Sequence, residues 1–230
     1  MATRFYFDPT LVAPFTPGFA AWTRTSEGVR RCMGRGRYGT AMSSLTTWAN
    51  AAAAADASSL LAQFSGPPMR EGIAFATTDT IKCYVRCMES AANDNINRQP
   101  ICLKVYAADG TTLQATLKAL GHYGPNTTEW IAGTLTNKTL ADGDVLGANY
   151  TTVFGDYLVL EIGAQVSSAA GTSVTGTMSI GSSSATDLGE NETDTAANNP
   201  WFEISRDIVF VDDLFLKRDK LNQMQQLLAT

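Results

Sequence analysis

The feature that most constrains the fold is an alternation of apolar and polar side chains with a period of two, which recurs through residues 71–205. Its clearest instance is the run 155–163 (Gly-Asp-Tyr-Leu-Val-Leu-Glu-Ile-Gly), in which Leu158, Leu160 and Ile162 fall on one side. Successive side chains of a β-strand point to opposite faces, so this run predicts a strand with one face in a core. The pattern as a whole predicts a mainly β protein.

Turn signals divide this region into short strands. Asn93-Asp94-Asn95 and Asp109-Gly110 have the residues of tight turns,. We further predict a strand at 129–135 and a loop at 137–144. After the run 155–163 come a half-buried strand near 174–180, an acidic loop and a closing aromatic strand, an order typical of one edge of an antiparallel β-sandwich. Residues 70–205 are therefore predicted to form an antiparallel β-sandwich or jelly roll.

The two ends are predicted to be extensions of this body. Residues 1–69 carry Pro9, Pro14 and Pro17 among many aromatic residues, which favours an extended arm over a helix or a central strand,. A short helix or an extended chain are both compatible with the alanine-rich part of 42–64. Residues 206–230 are predicted to contain a short helix that docks on a neighbour or on the body.

These ends supply candidate contacts with other subunits. Residues 1–70 carry seven basic and three acidic side chains, whereas the whole chain has a net charge of −5. A basic arm on an acidic body suits docking onto acidic neighbours, although an arginine-rich loop without a partner is an equally good interpretation. The candidate interface residues are Phe5, Phe7, Phe15, Phe19, Trp22, Arg30, Arg31, Arg35, Arg37, Leu221, Met224 and Leu228.

Composition excludes several classes of function. Charged residues make up 17% of the chain, which suits a protein that buries surface in an assembly,. The negative net charge argues against nucleic acid as a partner. No window approaches 18 apolar residues and the first residues lack a signal-peptide core, so we expect no membrane partner and synthesis in a cytoplasm. The four cysteines are expected to be buried free thiols, and no cofactor is predicted,.

No catalytic constellation is recognisable. The single histidine, His122, has no Gly-x-Ser-x-Gly motif to accompany it, and no carboxylate pair stands out, so an enzyme is not expected,. Two binding sites are conceivable. His122, Tyr123 and Trp130 could stack on a sugar, but a turn packed by its own aromatic rings is the better interpretation. Four residues of an acidic loop could supply oxygen ligands for calcium, but a solvated loop without an ion is the better interpretation. These residues are Asp187, Glu190, Glu192 and Asp194,.

Several segments together resemble a known group of proteins. They are Thr3-Arg4-Phe5-Tyr6-Phe7, the proline-rich stretch ending in Trp22 and Arg30-Arg31, the run 155–163, and 179–188 leading to Asn199-Pro200-Trp201-Phe202-Glu203. In these segments the chain is similar to tailed-bacteriophage virion structural proteins with a β-sandwich body. The alanine-rich stretch 49–57 and the predicted C-terminal helix depart from that pattern.

The resemblance implies a component of a virion, made in the host cytoplasm. It suggests a capsid decoration or cement protein that binds the major capsid protein and copies of itself, as a trimer or dimer. The alternatives are a receptor- or glycan-binding module on the tail or a fibre, with contacts near 122–130 or 187–194, and a neck or tail adaptor.

Overall fold

The described part of the chain is mainly β-strand, with almost no helix. A computed structural model describes residues 1–26, 28–39, 43–50 (backbone), 57–124, 129–166 and 174–211. Fourteen strands lie in these ranges: β1 Thr3–Phe7, β2 Val29–Gly34, β3 Ser43–Asn50, β4 Ser58–Pro68, β5 Ala74–Phe75, β6 Thr80–Glu89, β7 Ile96–Arg98, β8 Ile101–Tyr106, β9 Leu113–Gly121, β10 Thr136–Val145, β11 Tyr150–Thr151, β12 Tyr157–Val166, β13 Val174–Ile180 and β14 Trp201–Ile204. The prediction of a mainly β protein is confirmed.

Twelve of these strands form one large mixed sheet. Its order is β3-β13-β6-β14-β1-β2-β4-β12-β8-β9, with β10 on the other edge of β6 and β7 beside β12. The β2–β4 pair is parallel and the other pairs are antiparallel. Strands β5 and β11 form a separate two-stranded sheet. The run 155–163 was predicted at a sheet edge, but β12 lies between β4 and β8, while β13 and β14 both border β6.

The sheet curls around one main core. One cluster of buried apolar side chains draws on strands from both ends of the pairing order, among them Phe64 of β4, Val85 of β6, Leu103 of β8, Leu160 of β12 and Phe202 of β14. Alternate residues of β12 point into it, as the sequence pattern predicts,. The curl is therefore what allows one sheet to bury its own inner face.

The N-terminal residues are part of this sheet. Strand β1 lies between β14 and β2, and β2 pairs with β4, so residues 3–34 contribute two interior strands. The prediction that they form an extended arm, with no central strand, is wrong in this respect. Pro9, Pro14 and Pro17 fall in the loop between β1 and β2 and leave both ladders intact,. Strand β4, which lies within the predicted extension 1–69, likewise belongs to the main sheet, because it pairs with β12 along its length.

Two other expectations need correction. Residues 43–50 and 58–68 are strands, so a helix in 42–64 is excluded outside the undescribed stretch 51–56. The predicted strand 129–135 and loop 137–144 are reversed, because β10 occupies Thr136–Val145 and pairs with β6. Its polar side chains concealed this strand: Asn137, Lys138 and Thr139 are buried under a loop that the sequence pattern does not reveal.

The C-terminal helix was predicted within 206–230, and residues 212–230 lie outside the described part of the chain. Before them, Phe210 forms an antiparallel bridge with Met69. In the ranges that the structure describes, no helix has the length and apolar character needed to cross a membrane.

Candidate functional site

Most of the aromatic residues predicted to grip other subunits are turned toward their own sheet. Phe5 and Phe7 belong to the core and are almost fully buried, and Trp22 is 7% exposed. Phe15 and Phe19 are half-buried; the ring of Phe15 lies 4.3 Å from that of Tyr157. These side chains stabilise the fold and leave little surface for a partner.

A buried carboxylate on the outer face of the sheet fixes residues 17–22, which we call the strap. Glu161 of β12 is fully buried on the face opposite the core. Its carboxylate accepts hydrogen bonds from Trp22 Nε1 at 2.6 Å and from the backbone N–H of Ala20 at 3.0 Å. Lys104 Nζ of β8 lies 2.9 Å from the same carboxylate. The strap therefore covers β12, which explains why both faces of that strand are buried.

Further hydrogen bonds hold the backbone of the strap. Lys104 Nζ and the Tyr106 hydroxyl both donate to Gly18 O, at 3.1 and 2.5 Å. Gln63 Nε2 donates to Pro17 O at 3.3 Å and to Glu161 at 3.0 Å. Removing one partner of a buried ion pair costs about 3–5 kcal/mol because the other charge is left uncompensated. This network is structural, and a charge within an apolar strand was its only signal in the sequence.

The basic residues that were predicted to lie at an interface are found in different environments. The Arg30 guanidinium stacks over the ring of Phe19 at 4.1 Å, and Arg31 Nη1 donates to the backbone carbonyl of Arg30. Arg35 and Arg37 are exposed, and Arg37 pairs with Asp187 at 2.7 Å. The candidates Leu221, Met224 and Leu228 fall in 212–230, outside the described residues.

Asp187, the first calcium candidate, is the centre of an ion-pair cluster. Its carboxylate lies 2.9 Å from Arg4 Nη1 and 2.7 Å from Arg37 Nε, and it accepts the Tyr6 hydroxyl at 3.0 Å. Burial alone would raise the pKa of Asp187, but the hydrogen bonds from Arg37, Arg4 and Tyr6 outweigh it and leave the pKa below its ordinary value. Arg4 also stacks over the ring of Trp201 at 3.8 Å. The carboxylate is satisfied by cations of its own chain.

The other acidic candidates are bound separately. Glu190 lies 2.6 Å from Lys82 Nζ, Glu192 lies 3.7 Å from Lys138 Nζ, and Asp194 accepts a backbone N–H of its own loop. In the described ranges no three acidic, cysteine or histidine side chains converge as a metal site requires. The loop instead lies along the outer edge of β10, where it accepts hydrogen bonds from two N–H groups of that strand.

The proposed sugar platform is not an exposed aromatic surface. Trp130 is 2% exposed and belongs to the core. Tyr123 lies half-buried over Lys118 Nζ, at 3.9 Å, and His122 Nδ1 accepts the backbone N–H of Gln99 at 3.3 Å. Residues 125–128 lie outside the described part. Stacking of a sugar on Trp130 would require the core to open.

A second buried carboxylate has acidic neighbours. Glu89, at the end of β6, is 1% exposed, and one of its oxygens accepts the backbone N–H of Ile96 at 3.2 Å. The adjacent N–H, that of Asn95, donates to Glu129 at 3.1 Å. Burial, aided by the charges of Glu129 and Asp94, raises the pKa of Glu89 to about 8, against the opposing effect of the bond from Ile96. The raised pKa favours the protonated form of Glu89 at neutral pH,.

An apolar groove lies where the parallel strands β2 and β4 end. Its volume is about 270 Å³, and its walls include Leu11, Pro14, Cys32, Pro67 and Pro68. Three of the four cysteines are buried, as predicted, but Cys32 is half-exposed in this groove. Burial and the charge of Asp8 raise the pKa of the Cys32 thiol. Sequence reasoning missed the groove, because its walls come from four separate segments of the chain.

The edges of the sheet differ in how they are covered. The outer edge of β9 is met by Gly147, whose N–H donates to Leu117 O at 2.7 Å. The outer edge of β10 is met by the acidic loop, with Asn137 N–H donating to Asp194 O at 3.0 Å. Strand β3 pairs with β13 on one side, and its other side has no strand partner among the residues that the structure describes.

No protein-family model matches the chain, and no curated protein matches it significantly.

Proposed function

We propose that this chain is a non-enzymatic structural protein that works by assembly with other chains. The observation that supports this most directly is that the outer edge of β3 has no strand partner among the residues that the structure describes. The sequence of β3, Ser-Ser-Leu-Thr-Thr-Trp-Ala-Asn, contains no charged residue and no proline. Proteins usually protect an edge strand with lysine, proline or a covering segment, because unpaired N–H and C=O groups otherwise recruit another strand. An unprotected edge suits a protein whose working state includes such a partner.

The contrast with the other edges strengthens this interpretation. Neighbouring segments bind one outer carbonyl group of β9 and two outer N–H groups of β10. Exposed apolar side chains lie on two loops as well: Leu11 and Val12 after β1, and Val153 and Phe154 before β12, all more than half exposed. These loops offer additional contact surface for a neighbour.

The buried polar groups favour a structural role over a catalytic one. Glu161 and Asp187 are saturated by donors of the same chain, and His122 accepts a backbone N–H. A general base or nucleophile needs an open side toward a substrate. The groups that would be the first candidates are occupied in holding loops to the sheet.

The resemblance stated above narrows the proposal to a tailed-phage virion, with a capsid decoration or cement protein as the most specific form. The partners would be the major capsid protein and copies of this chain. We further propose that the curled sheet is of the sandwich type, with the strands around β6 facing those around β12. Since Phe5 and Phe7 belong to the core and Trp22 is bound to Glu161 of the same chain, attachment would use the β3 edge and the exposed loops. The glycan-binding alternative is less well supported, because Trp130 is buried.

The test replaces one residue of the open edge. Thr47→Lys adds a charge that opposes pairing with another strand, and Thr47→Val is the matched control that keeps a strand-forming side chain. We expect the wild type and the control to self-associate or to bind capsid shells in sedimentation experiments, and the lysine variant to do so at least about tenfold more weakly. Equal binding by all three proteins would exclude the β3 edge as the binding surface. A wild type that remains monomeric and binds no capsid shell would overturn the proposal that the protein works by assembly.

Location on the particle has a separate readout. A decoration protein should be present in on the order of hundreds of copies per virion, whereas a tail or neck component follows the low symmetry of the tail. Quantitative mass spectrometry of purified particles distinguishes them, and absence from the particle would contradict the virion proposal.

A further inference from the structure

The apolar groove at the ends of β2 and β4 has the size and chemistry of a pocket for one or two apolar side chains. Its volume of about 270 Å³ is below the range of about 300–1,000 Å³ that is typical of pockets for small molecules,. None of the described residues in its wall is charged, and Cys32 is half-exposed in it. The groove therefore suits an apolar side chain of another protein surface better than a charged peptide.

A turn that carries two exposed apolar side chains borders this groove. Val153 and Phe154 are both more than half exposed. The next residue, Gly155, donates its N–H to Met69 O at 2.9 Å, and Met69 follows Pro68 of the groove wall. Phe154 thus stands beside the groove of its own chain without forming part of the described wall.

Buried aspartates fix the backbone of this turn and of another part of the rim. Asp156 accepts the N–H of Val153 at 2.8 Å and the hydroxyl of Tyr150 at 2.7 Å. Asp8 accepts the N–H of Leu11 at 2.8 Å, and the side chain of Leu11 is a more than half exposed part of the wall. Apolar side chains on a fixed backbone lose less conformational freedom on binding, so both places are preorganised for contact.

We propose that Phe154 of one copy occupies this groove on a second copy, a contact that rests on the proposed function of assembly. Because the turn and the groove adjoin each other in one chain, a two-fold axis lets each copy insert its ring into the other. The contact removes both rings and both groove walls from water, which is the main gain in free energy. The exposed side chains of Leu11, Val12 and Val153 extend the contact beyond the ring, and the thiol of Cys32 becomes covered.

Cys32 makes the contact measurable, because the other three cysteines are buried. The experiment follows the reaction of the native full chain with an aromatic disulfide reagent over an about 100-fold range of protein concentration, with sedimentation at the same concentrations. We expect Cys32 to react at least about tenfold more slowly at the upper end of the range, where the dimer forms. Phe154→Gln should abolish this protection, and Ile131→Gln, which replaces an exposed apolar residue outside the groove and the turn, should keep it.

Failure of this contact is distinguishable from failure of assembly. A wild type that associates or binds capsid shells, while Cys32 reacts at a rate independent of concentration, would overturn the contact and leave assembly standing. A wild type that stays monomeric and binds no shell would overturn both. Protection that Phe154→Gln retains would show that another segment fills the groove, and would overturn the assignment to Phe154.

A disulfide trap tests the two-fold arrangement. Phe154→Cys adds a thiol to the turn, and with oxidised glutathione as the oxidant we expect it to bridge to Cys32 of a second copy. The product should be a covalent dimer with two such bridges, seen by non-reducing electrophoresis and mass spectrometry. Ile131→Cys is the matched control and should form no bridge to Cys32. A bridge within one chain, or a ladder of longer covalent chains, would contradict the reciprocal contact.

Discussion

Two buried carboxylates, Glu161 and Glu89, have opposite surroundings. Glu161 is surrounded by donors: an indole N–H, a backbone N–H, an amide and the Lys104 ammonium group. Glu89 has one backbone donor and faces the carboxylates of Glu129 and Asp94. The ammonium group of Lys138 donates a hydrogen bond to the backbone carbonyl of Glu129, at 3.1 Å. A charge is stabilised in the first case, whereas a proton is retained in the second.

The proton on Glu89 links stability to pH. The pKa of this carboxyl rises from an ordinary value of 4.5 to about 8 in the folded chain. Between these values the folded state binds more protons than the unfolded state, so the contribution of Glu89 to the free energy of unfolding falls as pH rises from about 4.5 to about 8,.

Glu89→Gln removes this titration while keeping the shape of the side chain. Relative to the wild type, the variant should gain about 1–3 kcal/mol of stability between pH 5 and pH 8, which urea denaturation at several pH values would measure. Glu71→Gln, at an exposed position, is the control and should follow the wild-type profile. A difference between Glu89→Gln and the wild type that does not change with pH would contradict the shifted pKa.

At the scale of elements, the contact between the strap and β12 depends on a missing side chain. A Cβ at Gly163 would collide with Ser59 O of β4 and with the ring of Trp22. Neither obstacle is the mobile end of a flexible side chain, so the strap or the β4–β12 ladder would have to shift. The glycine therefore permits the indole to reach Glu161.

We expect Gly163→Ala to lower the free energy of unfolding by about 2–4 kcal/mol, since it forces a well-packed region apart. Gly36→Ala is a suitable control, because a Cβ there has no neighbour within 4 Å and the residue does not have a positive φ. The control should be neutral or slightly stabilising. Denaturant titration of both variants measures the difference, and equal stability would show that the strap does not press on β12.

Whether an element could be predicted depended on how its outer face is covered. The inward faces of β6, β8 and β12 were evident from Val85, Leu103 and Leu160, because alternation requires no knowledge of partners. Strand β10 was missed because its buried side chains are polar and the acidic loop satisfies them. The groove, the strap and the Asp187 cluster join positions far apart in sequence, and no local pattern records such a contact.

The dependence on partners far away in the sequence also explains why the N-terminal residues were wrongly predicted to form an arm. The alternation of Thr3, Phe5 and Phe7 against Arg4 and Tyr6 is that of a half-buried strand. Three prolines nearby suggested an arm, although all of them lie after the strand. The aromatic side chains were correctly expected to fill pockets. The pockets that Phe5 and Phe7 fill belong to the core of the same chain. From the sequence alone, pockets in the same chain and pockets in a neighbouring subunit were both possible.

At the scale of the whole molecule, residues 1–34 connect the two parts of the sheet. In the described pairing order, β1 and β2 stand between β14 and β4, so they join the strands around β6 to those around β12. They also place Phe5, Phe7 and Met33 in the shared core. Truncating one large core side chain costs about 2–5 kcal/mol, and a domain has only about 5–15 kcal/mol of stability in total.

Deletion of residues 1–40 should therefore abolish cooperative folding, whereas an arm that merely grips a partner could be removed without loss of the body. Thermal unfolding followed by circular dichroism measures this, with removal of the exposed Met1 and Ala2 as the neutral control. A folded body after the deletion would contradict the interior placement of β1 and β2 and would restore the arm as the attachment element. Loss of folding would leave the β3 edge and the exposed loops as the surfaces through which this protein meets its neighbours.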